Sequence, residues 1–485
     1  MNEEIKQIKS KSFISALSLL GQSGYSAILG FTAFFVLTLK SGIHLLGIYS
    51  TVLAMLAFFN YFTDLGLAAA ILQKKDIEEV DLSSAFFIQL TLVTIAVIVG
   101  FFFSPHLFRL YKDLPHNAIY LYWAILASFF LLSLKSIPSV LLEKRLEIYK
   151  VVFVQAIENT VFYLTVIVLV FMGYDIFSLV VAVLARAVVG LIAIYILNPF
   201  RPRLMFSIPA AKALLKYGIP FQSNSFLALV KDDLLVIYLG STIGLTNLGY
   251  VMFGKKYAEF SIRLIMDNIN RVAFPLFARF QNEKDLLKKS LHKVLFYETV
   301  LIFPFIIGAM FVFDGVLKII PGYFQKWHIS LFSFYFFSAS AFFISMSTPF
   351  INLFNAIGKV KLSVYFMILW TVTLWTLVPL FIKIFGYNGI SIAFFIMSLT
   401  FVLVYMQARR FVSFSLLEFI KENVIATMAM TLYLAIVRLL TVNTSPYFYV
   451  FLSVVGGGGI YFLVLYRLKG KTLYTEFLDL LKMQK

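Results

Sequence analysis

Apolar runs of about 20 residues, the length a helix needs to cross the hydrocarbon core of a bilayer, recur along the whole chain. Short polar segments rich in Lys and Arg separate them. Taken in order, the runs predict spans at 13–38, 45–72, 83–104, 117–140, 150–172, 176–197, 218–239, 246–271, 294–316, 329–353, 362–383, 389–408, 423–441 and 447–466. The expected fold class is therefore an all-α integral membrane protein of about fourteen transmembrane helices. Spans 45–72 and 246–271 are the least regular. The start MNEEIKQIKSKS carries Lys6, Lys9 and Lys11, as the first part of a signal peptide would. The apolar run that follows is too long for one and lacks a cleavage site, so it reads as an uncleaved first helix.

Loop charge gives the orientation. With the N-terminus inside, the inner segments hold 28 Lys and Arg. The outer ones hold only Lys40, Arg109, Lys112, Lys318, Lys326, Lys383 and Arg438. A missed span would invert every loop after it, and the bias keeps its sign throughout. Both termini are expected in the cytoplasm, with an even number of spans. The longest loops, near 198–217 and 272–293, fall on that side, and QNEKDLLKKSLHK in the second predicts a surface helix.

Composition agrees. Of 485 residues, 61% are hydrophobic and 13% charged, against about 25% charged in soluble proteins. The net charge of +17 would suggest nucleic acid in a soluble chain. Here the cations lie between apolar runs, so membrane lipids with anionic headgroups are the expected partners and no nucleic acid is implied. Without cysteine, disulfides and thiolate metal sites are excluded. The five His show no metal-ligand spacing, and no resident cofactor is expected. Gly456–Gly459 lies within an apolar helix and lacks the Lys-Ser/Thr of a phosphate loop, so close helix packing is expected there. Pro138, Pro304 and Pro379 are candidate kinks.

The informative residues are charges inside spans. Lys256, Glu259, Arg263 and Asp267 are spaced by three, four and four, which puts them on one helical face. Each would cost roughly 2.5–3.5 kcal/mol at a helix centre, so this face must meet water, partner charges or both. Lys231, Asp232 and Asp233 are consecutive and point about 100° apart, so they cannot all face one cavity. Arg186 lies near the middle of its span, either as a tie between helices or as a phosphate-binding cation, for which its planar fork is suited. Glu158, near Gln155 and Asn159, makes another span polar and is a candidate for proton or sodium coupling. Lys135, Lys255, Asp64 and Glu298 complete the set. The candidate cavity cations are thus Lys256, Arg263, Arg186 and Lys231. The candidate pairing or ion-coupling carboxylates are Glu259, Asp267, Glu158 and Asp233. A weak repeat joins Leu46-Gly47-Ile48-Tyr49 to Leu248-Gly249-Tyr250 and Asp64 to Asp267. Six spans per repeat give two halves of the same orientation.

These segments resemble the polysaccharide-repeat-unit flippases (Wzx-type exporters) of the superfamily that includes MATE drug exporters and the lipid II flippase. The resemblance rests on LLGIYSTVLAMLAFFNYFTDLGLAAAILQKKD (45–76), LGYVMFGKKYAEFSIRLIMDNINRVAFPLFARFQNEKDLL (248–287), PGYFQKW (321–327), NAIGKVK (355–361) and FGYNGISIA (385–393). It implies two six-helix bundles, 1–200 and 201–415, around a central cavity, with two further helices in 416–485. It also implies alternating access in a bacterial inner membrane. The implied cargo is an undecaprenyl-diphosphate-linked oligosaccharide carried to the outer leaflet for O-antigen, capsule or exopolysaccharide, with polysaccharide assembly proteins as partners. An ion-coupled multidrug exporter is the first rival, but it calls for a cavity of carboxylates and aromatics. A membrane polymerase or ligase is the second, and it calls for acid–base groups on a larger outer loop. A transporter, not an enzyme, is expected.

Overall fold

The computed structural model describes residues 2–482 apart from 65, 75, 76, 112 and 146. Side chains are described except those of 2–17, 19, 20, 23, 56–64, 107, 108, 110, 217, 219–225, 261–264, 267, 268, 270–272 and 471–482. The described residues are almost entirely helical and divide into two compact units, Met1–Gly249 and Tyr250–Lys485.

The first unit contains α1 (Asn2–Lys40), α2 (Ile43–Asp64), α3 (Leu67–Gln73), α4 (Glu79–Leu110), α5 (Ala118–Leu134), α6 (Ser136–Lys144), α7 (Ile148–Phe171), α8 (Asp175–Leu197) and α9 (Ile208–Ile243). The next helix, α10 (Leu245–Arg279), begins in this unit and runs on into the second. Two predicted spans are interrupted. The span 45–72 stops at Gly66, whose φ is +70°. A β-carbon there would collide with the backbone of Gly218, so two main chains approach where a larger residue cannot fit. The span 117–140 breaks at Lys135, three residues before Pro138. Proline strands the carbonyl four residues back, and here Leu134 O accepts the Tyr195 hydroxyl at 3.1 Å. Turn chemistry closes the end of the unit expected in the cytoplasm. Lys74 pairs with Asp81 at 2.6 Å, the Glu78–Asp81 capping box starts α4, and Lys144 donates to the carbonyls ending α3.

The second unit contains the rest of α10, then α11 (Lys284–Ile319), α12 (Tyr323–Trp327), α13 (Leu331–Ala356), α14 (Val360–Phe385), α15 (Gly389–Ser398), α16 (Phe401–Ala408), α17 (Leu416–Leu440) and α18 (Pro446–Lys482). The segment expected as a separate surface helix is the first part of α11. Leu287, Ser290 and Leu291 are buried in it, and the two leucines join a core with Phe350, Leu353 and Phe354 of α13. Its charged residues decorate one side of a helix whose other side is core, which the loop's polarity concealed. The chain reverses after α14 at Gly386, φ +60°. α17 and α18 pack on α11. Added β-carbons at Gly456 and Gly457 would meet Tyr433 and Leu434 of α17, so the glycine run serves helix packing at two of its four positions.

Among the described residues, nine helical stretches are long and apolar enough to cross a membrane. One of them, Val360–Ala408, has 49 residues and at 1.5 Å per residue would reach roughly 70 Å, twice what one crossing needs.

Candidate functional site

The first unit holds a buried ion cluster centred on α7. The middle of that helix carries four polar residues on consecutive turns, Gln155, Glu158, Asn159 and Thr160. Three of them bond α1. Gln22 donates to Gln155 at 3.0 Å, Asn159 to Ser26 at 2.8 Å, and the Tyr25 and Thr160 hydroxyls meet at 2.7 Å. The paired numbers rise together, so α1 and α7 are parallel. Glu158 points elsewhere and is 1% exposed. Lys135, at the α5–α6 break, donates to its Oε1. Arg186 Nε stands 4.0 Å from its Oε2, close enough for attraction and too far for a hydrogen bond. The Arg186 side chain keeps 41% of its surface exposed and lies 5.8 Å from the centroid of Phe162, a cation–π distance.

The backbone makes room for this arrangement. Gly190 lies one turn beyond Arg186 on the same face of α8, and a β-carbon there would collide with the Glu158 carboxylate. The break at Lys135 ends α5 and turns the ammonium toward α7. Beside the cluster is a cavity of about 330 Å³ lined by Gln89, Ser133, Lys135, Ser136, Ser139, Glu143 and Gln155. Amides and hydroxyls there can hold water or the hydroxyls of a bound molecule. Two cations face one carboxylate, so the cluster has a surplus of positive charge, carried by the more exposed Arg186.

Of the predicted residues, Glu158 and Arg186 come together. Lys231 pairs with its neighbour Asp232 at 2.7 Å, and Asp233 is half-buried beside them on α9. In the second unit, Glu259 lies 3.7 Å from Lys255, one turn before it, while Lys255 sits 4.7 Å above the Phe394 ring. Lys256, on the same helix, is exposed. The side chains of Arg263, Asp267, Asp64, Gln222, Ser223 and Asn224 lie outside the described residues.

Sequence reasoning counted Lys135 among the intramembrane cations but did not join it to Glu158. Pro138 was the available signal, since a proline there interrupts the helical hydrogen bonding of the turn that holds Lys135. The role of Gly190 had no sequence signal. A second cluster was also missed: Asp314 of α11 takes Arg438 of α17 at 3.1 Å and Lys318 at 3.6 Å. Among the described residues, no group of His, Asp and Glu is placed to hold a metal ion.

A family model described as "Polysaccharide biosynthesis protein" matches residues 44–331. The lipopolysaccharide biosynthesis protein WzxC of Escherichia coli (strain K12) is 23% identical over 292 residues, 59% of this chain and 58% of that protein. The teichuronic acid biosynthesis protein TuaB of Bacillus subtilis (strain 168) is 21% identical over 273 residues, 56% of each chain. The match thus spans little more than half the length of these relatives. Among solved structures, the lipid II flippase MurJ in an inward closed conformation aligns with a TM-score of 0.71 at 15% identity, over 96% of this chain and 99% of that one. An inward-facing MATE multidrug transporter aligns with a TM-score of 0.58 at 14% identity, over 83% and 95%. The fold is that of these transporters, as the sequence resemblance implied.

Proposed function

The chain belongs to the polysaccharide biosynthesis protein family, and from that premise we propose that it is a flippase. Its cargo would be an undecaprenyl-diphosphate-linked oligosaccharide, moved from the cytoplasmic to the outer leaflet of a bacterial inner membrane. Both termini would be cytoplasmic, and the translocated unit would serve O-antigen, capsule or exopolysaccharide assembly. The single observation that carries the proposal is the surplus cation at Glu158. Lys135 neutralises the buried carboxylate, and Arg186 is left half-exposed with a guanidinium able to grip a phosphate through two hydrogen bonds.

Such a cargo presents two chemistries. The diphosphate must exchange water for cations, while the lipid chain stays in hydrocarbon. An inside-negative potential would favour outward movement of the anion by about 2.3 kcal/mol per charge per 100 mV. Lys256 and Arg263 of α10 are the further cations assigned to cargo, with Glu259 and Asp267 as their partners. Lys231 and Asp233 of α9 are assigned the same roles. In this reading two six-helix bundles flank the path, and proton or sodium coupling powers the return step. Likeness to MATE transporters favours ion-coupled multidrug export as the alternative. A cationic drug would meet repulsion from Arg186, so drug-resistance profiles separate the two.

The test is leaflet-resolved transport in proteoliposomes, with an undecaprenyl-diphosphate oligosaccharide and a saccharide probe confined outside. Wild-type protein is expected to accelerate transfer, Arg186→Gln to reduce it at least tenfold (about 1.4 kcal/mol, less than a charged hydrogen bond is worth), and Lys256→Gln with Arg263→Gln to abolish it. Unchanged transport in well-inserted Arg186→Gln protein would remove the site from the proposal.

A further inference from the structure

α11 carries a carboxyl as deeply buried as Glu158. Glu298 is 1% exposed, and among the described residues neither of its oxygens has a hydrogen-bond partner and no cation pairs with it. α11 and α13 are antiparallel here. Phe313 stacks on Phe334 at 4.0 Å, Phe303 stacks on Phe342 at 4.4 Å, and Ile302 shares a cluster with Ala341. Continuing this register by one turn puts Glu298 level with the turn from Ser345 to Pro349.

That turn is rich in acceptors. Pro349 has no N–H, so Ser345 O lacks the helical donor it would otherwise have. The hydroxyls of Ser345, Ser347 and Thr348 donate back to Phe342, Phe343 and Ile344 at 2.8, 3.1 and 3.0 Å, which leaves their lone pairs as acceptors. Elsewhere a tyrosine serves the carbonyl that a proline strands. Tyr195 bonds Leu134 O before Pro138 at 3.1 Å, and Tyr461 bonds Val300 O before Pro304 at 2.9 Å. Among the described residues no side-chain donor reaches Ser345 O. An ionised Glu298 would add acceptors to acceptors, whereas a neutral carboxyl has one O–H to give.

Among the described residues the charges around it do not substitute for a proton; on α10, which shares clusters with α11 through Met266 and Ala273, the side chains of Arg263, Asp267 and Arg271 lie outside the described residues. α13 has no charged residue between Leu331 and Ala356. α17 and α18 bring Glu422 and Lys469, which lie 3.9 Å apart with Lys469 over the Phe296 ring. Toward the far end of α11, Asp314 occupies Lys318 and Arg438, and Lys326 of α12 lies over Trp327. On α11 itself His292 packs on Phe419.

We propose that Glu298 is a proton-binding site. In this conformation it holds a proton and donates it to the acceptors of the Ser345–Pro349 turn, and it releases the proton when α11 and α13, each with a proline inside it, shift and admit water. A sodium ion would draw on the same oxygens, so the response to added sodium at constant pH is what separates the two ions.

Infrared spectroscopy of the full chain in lipid tests this without any cargo, so it stands or falls independently of the flippase proposal. Wild-type protein at neutral pH is expected to show a neutral-carboxyl C=O band that Glu298→Gln lacks. The band should fade as pH rises and ignore added sodium at constant pH. Pro349→Ala, which returns the helical N–H to Ser345 O, should keep the band and shift it. The proposal is overturned if the Gln variant retains the band, if sodium at constant pH removes it, or if Pro349→Ala leaves its frequency unmoved.

Discussion

Two carboxyl groups in this molecule are equally buried and oppositely served. Glu158 in the first unit has Lys135 in hydrogen-bond contact, Arg186 at 4.0 Å, and a glycine cleared for it. Glu298 in the second unit has no partner among the described residues and stands level with a proline-containing turn of acceptors. Burial alone therefore does not say what a membrane carboxyl does. A charge taken out of water must be matched by opposite charge or removed by a proton, and here one chain uses both solutions. The first leaves a surplus cation available to a ligand, and the second leaves a proton available to a cycle.

The largest expected effect breaks the first arrangement. Glu158→Ala strands Lys135 and Arg186 and should cost about 3–5 kcal/mol, the loss typical of removing one partner of a buried pair, read as denaturant unfolding of the purified protein. A cost below about 1 kcal/mol would mean that water already solvates the cluster. Next in size is Gly190→Ala, at about 1–3 kcal/mol for overpacking. Its penalty should largely vanish in a Glu158→Ala background, because the collision is with that carboxylate; additive costs would place the strain elsewhere. Tyr461→Phe removes the donor to Val300 O and should cost about 1–2 kcal/mol, with a faster amide exchange of the turn before Pro304 as its local signature. The smallest effect belongs to Glu298→Gln, expected within about 0.5 kcal/mol of wild type, because an amide keeps one donor and one acceptor where a neutral acid had them. A loss as large as that of Glu158→Ala would show that Glu298 is ionised, and would erase the contrast between the two sites.

Much of this was legible beforehand. Hydropathy marked the helices because a backbone in hydrocarbon must satisfy its own hydrogen bonds. Glu158 and Arg186 stood out because charge is rare at that depth. Where the reading stopped has equally physical causes. Breaks at Gly66 and Lys135 look apolar or merely basic in a window of twenty residues, although one needs a positive φ and the other a proline. The loop 272–293 was polar enough to hide that Leu287 and Leu291 continue the core face of α11.

The sequence by itself determined the helical membrane class, the family resemblance and the list of residues too costly to bury without purpose. Those are properties of composition and local order, since transfer free energy is summed residue by residue along the chain. Only the tertiary structure decided which charges meet. Lys135 and Glu158 are separated by 23 residues and a helix break, and Gly190 matters only because a carboxylate from another helix occupies its missing side chain. Pairing, unlike burial, depends on where separate helices are brought together, and no local pattern records that distance.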